Sequence, residues 1–350
     1  MEVGLRAPMS VQLASQSLSH PFISVVIRSY NRLPHVLQLV ERCLTQDYDN
    51  FEVVVIEQSD QAQWADFSNA FDSFDEKVRI VRTEPRGSAA AKNLGVLVSR
   101  GNIVLLMDDD DIPVRNDWIS SHARHYMDPL CIGVSGRCVS RIDQRIPERK
   151  RQRVFERCLT YSFFLRGRDF TANDRVKKPV EWLHAMNASV RRSYVLKLGG
   201  WYPYVQNAEE HSFCFKLRRA LNPGEYLLFD PAPLVLRRFD IPGGLGKRFL
   251  PLTALLVNQL QYYHRVVSEY FPFRFFGLFP FFMIYSFQYT TRWFRVYSYY
   301  KDSIWIRWFG DKHGQRIYVF QELMRFPILV LRTFFERKPV WRGELTVPVK

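Results

Sequence analysis

"GNIVLLMDDDDIP", residues 101–113, drives an apolar run straight into four consecutive aspartates. Residues 103–107 have the make-up of a strand buried on both faces, as in a parallel sheet. Four adjacent carboxylates repel one another unless positive charge sits among them. A hard divalent cation, Mg2+ or Mn2+, would supply that charge, since it takes carboxylate oxygens and keeps positions for substrate phosphates. The bland alternative is an Asp-rich turn capping the next helix, with Pro113 ending the strand. Location favours the cation, because open α/β sheets bind their ligands beyond the carboxyl ends of the strands.

Working outward, "FISVVI" (residues 22–27) and "FEVVVIE" (residues 51–57) are further β-branched runs that suit strands buried on both faces. Between them, residues 32–46 place Leu33, Val36, Leu37, Val40 and Leu44 on one helical face, with Pro34 in the first turn. "KVRIVRT" and "GNIVLLM" supply two more strands, separated by the helical "SAAAKNLGVLVS". The alternation predicts a doubly wound, mostly parallel α/β unit over the first 110 residues or so. Its strand ends collect Arg28, Tyr30 and Asn31, then Glu57 and Asp60, then Arg86 and Gly87, then Asp108 to Asp111. Further on, a helix and the strand "GVSGRCVS" precede a very basic stretch, "RIDQRIPERKRQRVFER", read as a solvated insertion. "NAEEHSFCFKLRRALNPG" spaces Phe213, Leu217 and Leu221 as a helix face ended by Pro223 and Gly224, with Glu209 and Glu210 at its N-terminus.

At 350 residues the chain has room for a catalytic domain with an appendage. Its formal charge of +14 draws anions such as nucleoside diphosphates, nucleic acid or an acidic membrane face, without choosing among them. Five scattered cysteines indicate neither a disulfide framework nor a zinc site. Residues 1–20 lack the apolar run of a signal peptide and read as a loose leader, so a cytoplasmic location is expected.

Taken in order, "SVVIRSYNR", "VVVIEQSDQ", "RGSAAAKNLG", "LLMDDDDIP", "NASVRRSYVLKLGGW" and "NAEEHSFCFKLRRA" resemble the motifs of family 2 glycosyltransferases with the GT-A fold. The resemblance covers residues 21–239 and implies an inverting, metal-assisted transfer of a sugar from a UDP, dTDP or GDP donor to a hydroxyl on a glycan, polysaccharide or lipid-linked acceptor. It further implies a catalytic domain over residues 21–245, with a donor half over 21–113 and an acceptor half over 114–245, followed by an extension over 246–350. Donor contacts fall on Arg28, Tyr30, Asn31, Glu57, Lys92, Asp108 and Asp109, metal ligation on Asp110 and Asp108, and the general base on Glu210 with Glu209 beside it. Glu57 matches the acid that reads the base, Lys92 a basic residue facing the nucleotide, and Asp108 the acid facing the ribose.

Four positions depart from the family pattern. Glu57 stands where aspartate is usual, Ala208 stands where glycine precedes the acidic pair, Glu210 lengthens the usual aspartate base by one methylene, and Arg237 stands where a histidine metal ligand often lies. A guanidinium cannot coordinate a cation, so Arg237 or Arg238 is expected to hold the diphosphate instead. The residues also admit a plain helix-dipole role for the two glutamates. These departures keep open a catalytically weakened scaffold in glycan assembly. A sugar-nucleotide pyrophosphorylase is the other alternative, although "RSYNRLP" lacks the glycine-rich loop that class wants after its first strand.

After a glycine-rich loop, "IPGGLGKRF", read as mobile, the last third is aromatic and basic. Residues 265–338 hold 12 Lys and Arg against 5 Asp and Glu, and only 17 uncharged residues separate Arg274 from Arg292. That is short for a spanning helix. The pattern suits helices lying on an anionic membrane, or a helical subdomain packed on the catalytic core or on a second copy of the chain.

Overall fold

A computed structural model describes residues 20–59, 61–140, 174–202 and 209–238. The leader, Asp60, the basic insertion, Ala208, the glycine-rich loop and the extension over 246–350 lie outside the described residues. The elements run β1 (Ile23–Ser29), α1 (Leu33–Leu44), β2 (Phe51–Glu57), α2 (Gln61–Phe71), β3 (Val78–Arg82), α3 (Ser88–Val98), β4 (Ile103–Asp108), β5 (Asp111–Pro113) and α4 (Trp118–Ala123). They continue with β6 (Cys131–Ser140), β7 (Lys178–Val180), β8 (Asn187–Arg191), α5 (Arg192–Leu198), α6 (Glu209–Ala220) and β9 (Tyr226–Arg237).

Parallel pairing joins β3 to β2, β2 to β1 and β1 to β4. The strand order β3-β2-β1-β4 reverses the direction of winding beside β1, which makes the ends of β1 and β4 a topological switch point. Beyond β4 the sheet turns mixed. There β8 runs antiparallel to β4 and β6, β6 runs parallel to β9, and β9 pairs antiparallel with β5 and β7.

Strict alternation inside the buried strands feeds two cores, one on each face. Val26, Val54, Ile56, Val104 and Leu106 pack with α3, α5 and α6 through Ala91, Val96, Val195, Phe213 and Leu217. Ile23, Val25, Ile27, Val53, Leu105 and Met107 pack with α1, α2 and α4 through Val36, Leu39, Phe67 and Trp118. This is the doubly wound arrangement that the apolar runs predict.

The structure corrects the expectations in detail. The fully buried stripe of α1 is Val36, Leu39, Val40 and Cys43, while Leu33, Leu37 and Leu44 pack at its margin. Residues after Asp108 are not simply a turn, because Asp111–Pro113 form a short strand against the end of β9. Helix α2 is an addition, with Trp64, Phe67 and Phe71 turned inward. Gly95 lets α3 lie close on the sheet, since a Cβ there would stand 2.2 Å from Val26 Cγ1. Among the described residues no helix is long and apolar enough to cross a membrane.

Candidate active site

Strand register decides which side chains meet at the switch point. Arg28 lies opposite Asp108, so its guanidinium reaches across the ladder, with Nε donating to Asp108 Oδ1 at 2.8 Å. Asp111 lies opposite Arg237. Arg237 Nε donates to Asp111 Oδ1, and its NH2 donates to Asp111 Oδ2 and to Asp108 Oδ2, each at 3.0 Å. The two parallel bonds to Asp111 are the fork geometry that suits a carboxylate. Arg32, just ahead of α1 and only 5% exposed, donates to Asp109 Oδ1 and lies 3.4 Å from Asp110 Oδ2. Three guanidinium groups thus sit among the four aspartates, which answers the repulsion that the sequence poses.

Burial and charge then separate the four acids. Burial works against the Asp108 anion, but Arg28, followed by Arg237 and Lys92, overcomes it and holds the carboxyl down at about 2. Burial pushes Asp109 up to about 6, against the pull of Arg32 and with help from its acidic neighbours. It pushes the fully enclosed Asp111 up to about 8 against the pull of Arg237. Asp110 is the most open of the group, 24% exposed at its side chain, and its oxygens stand 3.4 Å and 3.6 Å from Arg32 and Arg237.

Oxygens of Asp108, Asp110 and Asp111 lie within 4.8 Å of one another. Three carboxylates at that spacing are a donor set that a hard divalent cation accepts, so the residues fit Mg2+ or Mn2+. Arg237 shares the cluster with any such cation. Its described donors go to the carboxylates of Asp108 and Asp111. Arg238 donates its backbone N–H to the Asp110 carbonyl at 2.8 Å.

A second group of polar atoms gathers at the ends of β1 and β2, where Ser29 lies opposite Glu57. Glu57 is fully buried, and its Oε1 accepts the Ser59 N–H at 2.5 Å. Glu57 Oε2, Ser29 Oγ and Asn31 Oδ1 are buried without a hydrogen-bond partner among the described residues. Asn31 adopts a left-handed φ of 55°, which turns the chain so that its N–H meets Ser59 Oγ at 2.6 Å. The Tyr30 N–H lies 3.4 Å from Asp109 Oδ2. Buried acceptors left open beyond strand ends are a costly arrangement unless a ligand group fills them.

A third group joins α3 to α6. Lys92, 1% exposed, donates through Nζ to Glu209 Oε1 at 3.1 Å and to Glu210 Oε1 at 3.0 Å. Ser88, one turn earlier, donates to Glu209 Oε1 at 2.7 Å. Burial opposes the Glu210 anion, while Lys92 and then Arg28 hold its carboxyl below the usual range. Sequence reading places Lys92 at the nucleotide, whereas its observed partners are the two acceptor-side glutamates. Arg32, Ser88 and Asn93 are the site residues that sequence reading misses. Arg32 carried a signal, a cation three residues past the end of β1, but the partners of Ser88 and Asn93 lie more than a hundred residues away.

Against known proteins, the model of the family described as "Glycosyl transferase family 2" matches residues 24–199, half of the chain. The glycosyltransferase GlyG of Streptococcus pneumoniae serotype 4 is 35% identical over 95 residues, a match spanning 27% of this chain and 32% of GlyG. A putative glycosyltransferase of Bacillus subtilis, EpsH, is 23% identical over 91 residues, 26% of each chain. Matched segments thus span about a third or less of these relatives. In fold, the chain is similar to the mannosyltransferase PcManGT from Pyrobaculum calidifontis, solved with GDP-Man and Mn2+, at a TM-score of 0.53 and 16% identity, covering 93% of this chain and 90% of that one. TarS of S. aureus, solved with UDP-GlcNAc, matches at a TM-score of 0.52 and 12% identity, covering 88% and 81%. With the family's model laid over both the acid-bearing strand ends and the turn that leads toward α6, this chain belongs to glycosyl transferase family 2.

Proposed function

We propose that the chain is an inverting glycosyltransferase that moves a sugar from a nucleoside diphosphate donor to an acceptor hydroxyl. The observation that carries this reading is the gathering of two carboxylate groups about one guanidinium, Arg28, at the end of the sheet. Asp108, Asp110 and Asp111 converge at the strand ends, and Glu210 stands at the head of α6, within the field of Arg28. A single displacement needs that division, with departure assisted on one side of the sugar and the attacking hydroxyl deprotonated on the other.

On the donor side, Glu57 Oε2 is the open acceptor for a ring N–H of the base, with Asn31 and Ser29 beside it. Asp108 faces the ribose, and Asp110 with Asp108 holds a divalent cation. When bound, Mg2+ or Mn2+ supplies Lewis-acid stabilisation of the charge that grows on the departing diphosphate. On the acceptor side, Glu210 takes the proton of the attacking hydroxyl as the new C–O bond forms and the donor's bond to phosphate oxygen breaks. Its carboxyl, held low by Lys92, is ionised at neutral pH and so available as a base. Relatives solved with GDP-Man and with UDP-GlcNAc support a nucleotide-sugar donor in general, and the acceptor is a glycan, polysaccharide or lipid-linked hydroxyl.

The test is a panel of UDP-, dTDP- and GDP-sugars with the full chain, with and without Mn2+, following nucleoside diphosphate release. Loss of a general base costs about 10²–10⁴-fold, so Glu210→Gln should fall by at least that lower figure and Asp110→Ala should lose its response to Mn2+. A Glu210→Gln variant as fast as wild type would sink the reading.

A further inference from the structure

We propose that Lys92 is a positioning residue for the acceptor-side carboxylates, binding Glu210 and Glu209 to α3, and that it makes no contact with the donor. The inference rests on the reading of Glu210 as the general base. An ammonium has three N–H donors and no acceptor. Two of those of Lys92 are committed to Glu209 Oε1 and Glu210 Oε1. The ammonium also lies 5.9 Å from the centre of the Trp201 ring, and the residue is 1% exposed. With the residue enclosed in this way, a phosphate or base could reach the remaining N–H only by opening the packing around the pair, and breaking a buried ion pair leaves an uncompensated charge.

The rest of α3 supports the same role. Ser88 and Lys92, four residues apart, lie on one face of the helix and both grip Glu209. Next to Lys92, the Asn93 amide donates to the Trp201 carbonyl and accepts the Trp201 N–H, both at 2.8 Å. That pair pins the Gly199-Gly200 turn, whose φ angles of 70° and 73° are left-handed. One helix of the donor half therefore fixes both described segments that flank the approach to α6.

This arrangement explains how glutamate serves at Glu210. The extra methylene carries its carboxylate back to Lys92, so reach and anchor are matched. Shortening the side chain to aspartate would draw the carboxylate off the anchor by roughly 1 Å, a displacement that can cost ~10²-fold in rate.

The experiment uses the full chain and the nucleoside diphosphate, UDP, dTDP or GDP, that binds wild type by calorimetry. Lys92→Met should lower kcat about 10²-fold while the nucleoside diphosphate Kd stays within about threefold, and Lys92→Arg should recover at least tenfold of the lost kcat. Glu210→Asp should be impaired to a similar degree although aspartate is an equally good base. Weakening of nucleoside diphosphate binding by tenfold or more in Lys92→Met overturns the assignment, as does full activity in Glu210→Asp. Should Lys92→Met fail to fold by circular dichroism, Lys92→Arg and Glu210→Asp decide on the same two readouts. Wild type that turns over no donor sinks the transferase reading, and the Kd comparison still tests Lys92.

Discussion

Replacing Arg237 with methionine removes the group that holds the acidic cluster together, while nearly preserving side-chain volume. Its guanidinium makes three bonds of 3.0 Å to Asp108 and Asp111 and stands 3.6 Å from Asp110. Asp111 is fully buried. Removing one partner of a buried pair costs about 3–5 kcal/mol. The low end applies here, because Arg28 still holds Asp108 and Arg32 still lies near Asp110. We therefore expect about 3 kcal/mol of lost stability in urea unfolding without divalent cation. The lost charge is one that a cation can replace. Mn2+ should bind the variant at least tenfold more tightly than wild type, and at a hundred times its Kd should return about 2.7 kcal/mol. Urea midpoints and calorimetry with Mn2+ together provide the assay, with no donor or acceptor required. A loss below about 1 kcal/mol, or Mn2+ affinity no greater than that of wild type, would refute the view that Arg237 and the cation share one set of carboxylates.

Two further predictions concern other parts of the molecule. Glu57→Gln should weaken nucleoside diphosphate binding by about 1–3 kcal/mol in calorimetry, because an amide replaces the open buried acceptor; unchanged affinity would remove Glu57 from the donor site. Beneath the sheet, Tyr126 donates to Ser189 Oγ, and His122 bridges Ser189 and Asn187 at 2.9 Å and 3.0 Å, a chain satisfied by neutral imidazole. Burial lowers His122 to about 4, so the unfolded chain takes up its proton first as pH falls. Stability should then drop between about pH 6.5 and 4 by up to about 3 kcal/mol. That slope should be missing in His122→Gln, and its survival there would show that other groups cause it.

Much of the donor half is legible in sequence, because strands buried on both faces carry near-continuous apolar runs, and β1, β2 and β4 do so apart from Ser24, Glu52 and the polar residues at their carboxyl ends. Their order puts Arg28, Glu57 and Asp108 at one edge before any side-chain geometry is known. β5 was not legible, since "DIP" has no strand signature and forms only by pairing with the end of β9. For the same reason the partners of Arg237 were out of reach, although its unusual identity stood out. Lys92 is the instructive case. Its place in "AAAKNLG" marks a site residue, but which face of α3 it occupies relative to α6 is settled by packing across 118 residues of chain. Motif spacing finds such residues and says little about which side of the reaction they serve.

Charge at the site clarifies why the family's histidine position can hold an arginine. Four aspartates meet three guanidinium groups, from Arg28, Arg32 and Arg237. The cluster is thus nearly balanced before a donor arrives, and a divalent cation and a diphosphate entering together neutralise each other. A histidine ligand would add coordination but no fixed charge, leaving the fully buried Asp111 without its fork-shaped partner. Arginine therefore goes with the fourth aspartate. Asp111 and Arg237 lie opposite each other in the register of β5 and β9, so exchanging either alone leaves the other without its partner, whereas exchanging both could leave the proposed cation-binding pair of Asp108 and Asp110 in place. Arg237→His combined with Asp111→Ser should accordingly be more stable than Arg237→His alone, and a double variant no more stable than that single one would show that the two residues are not coupled.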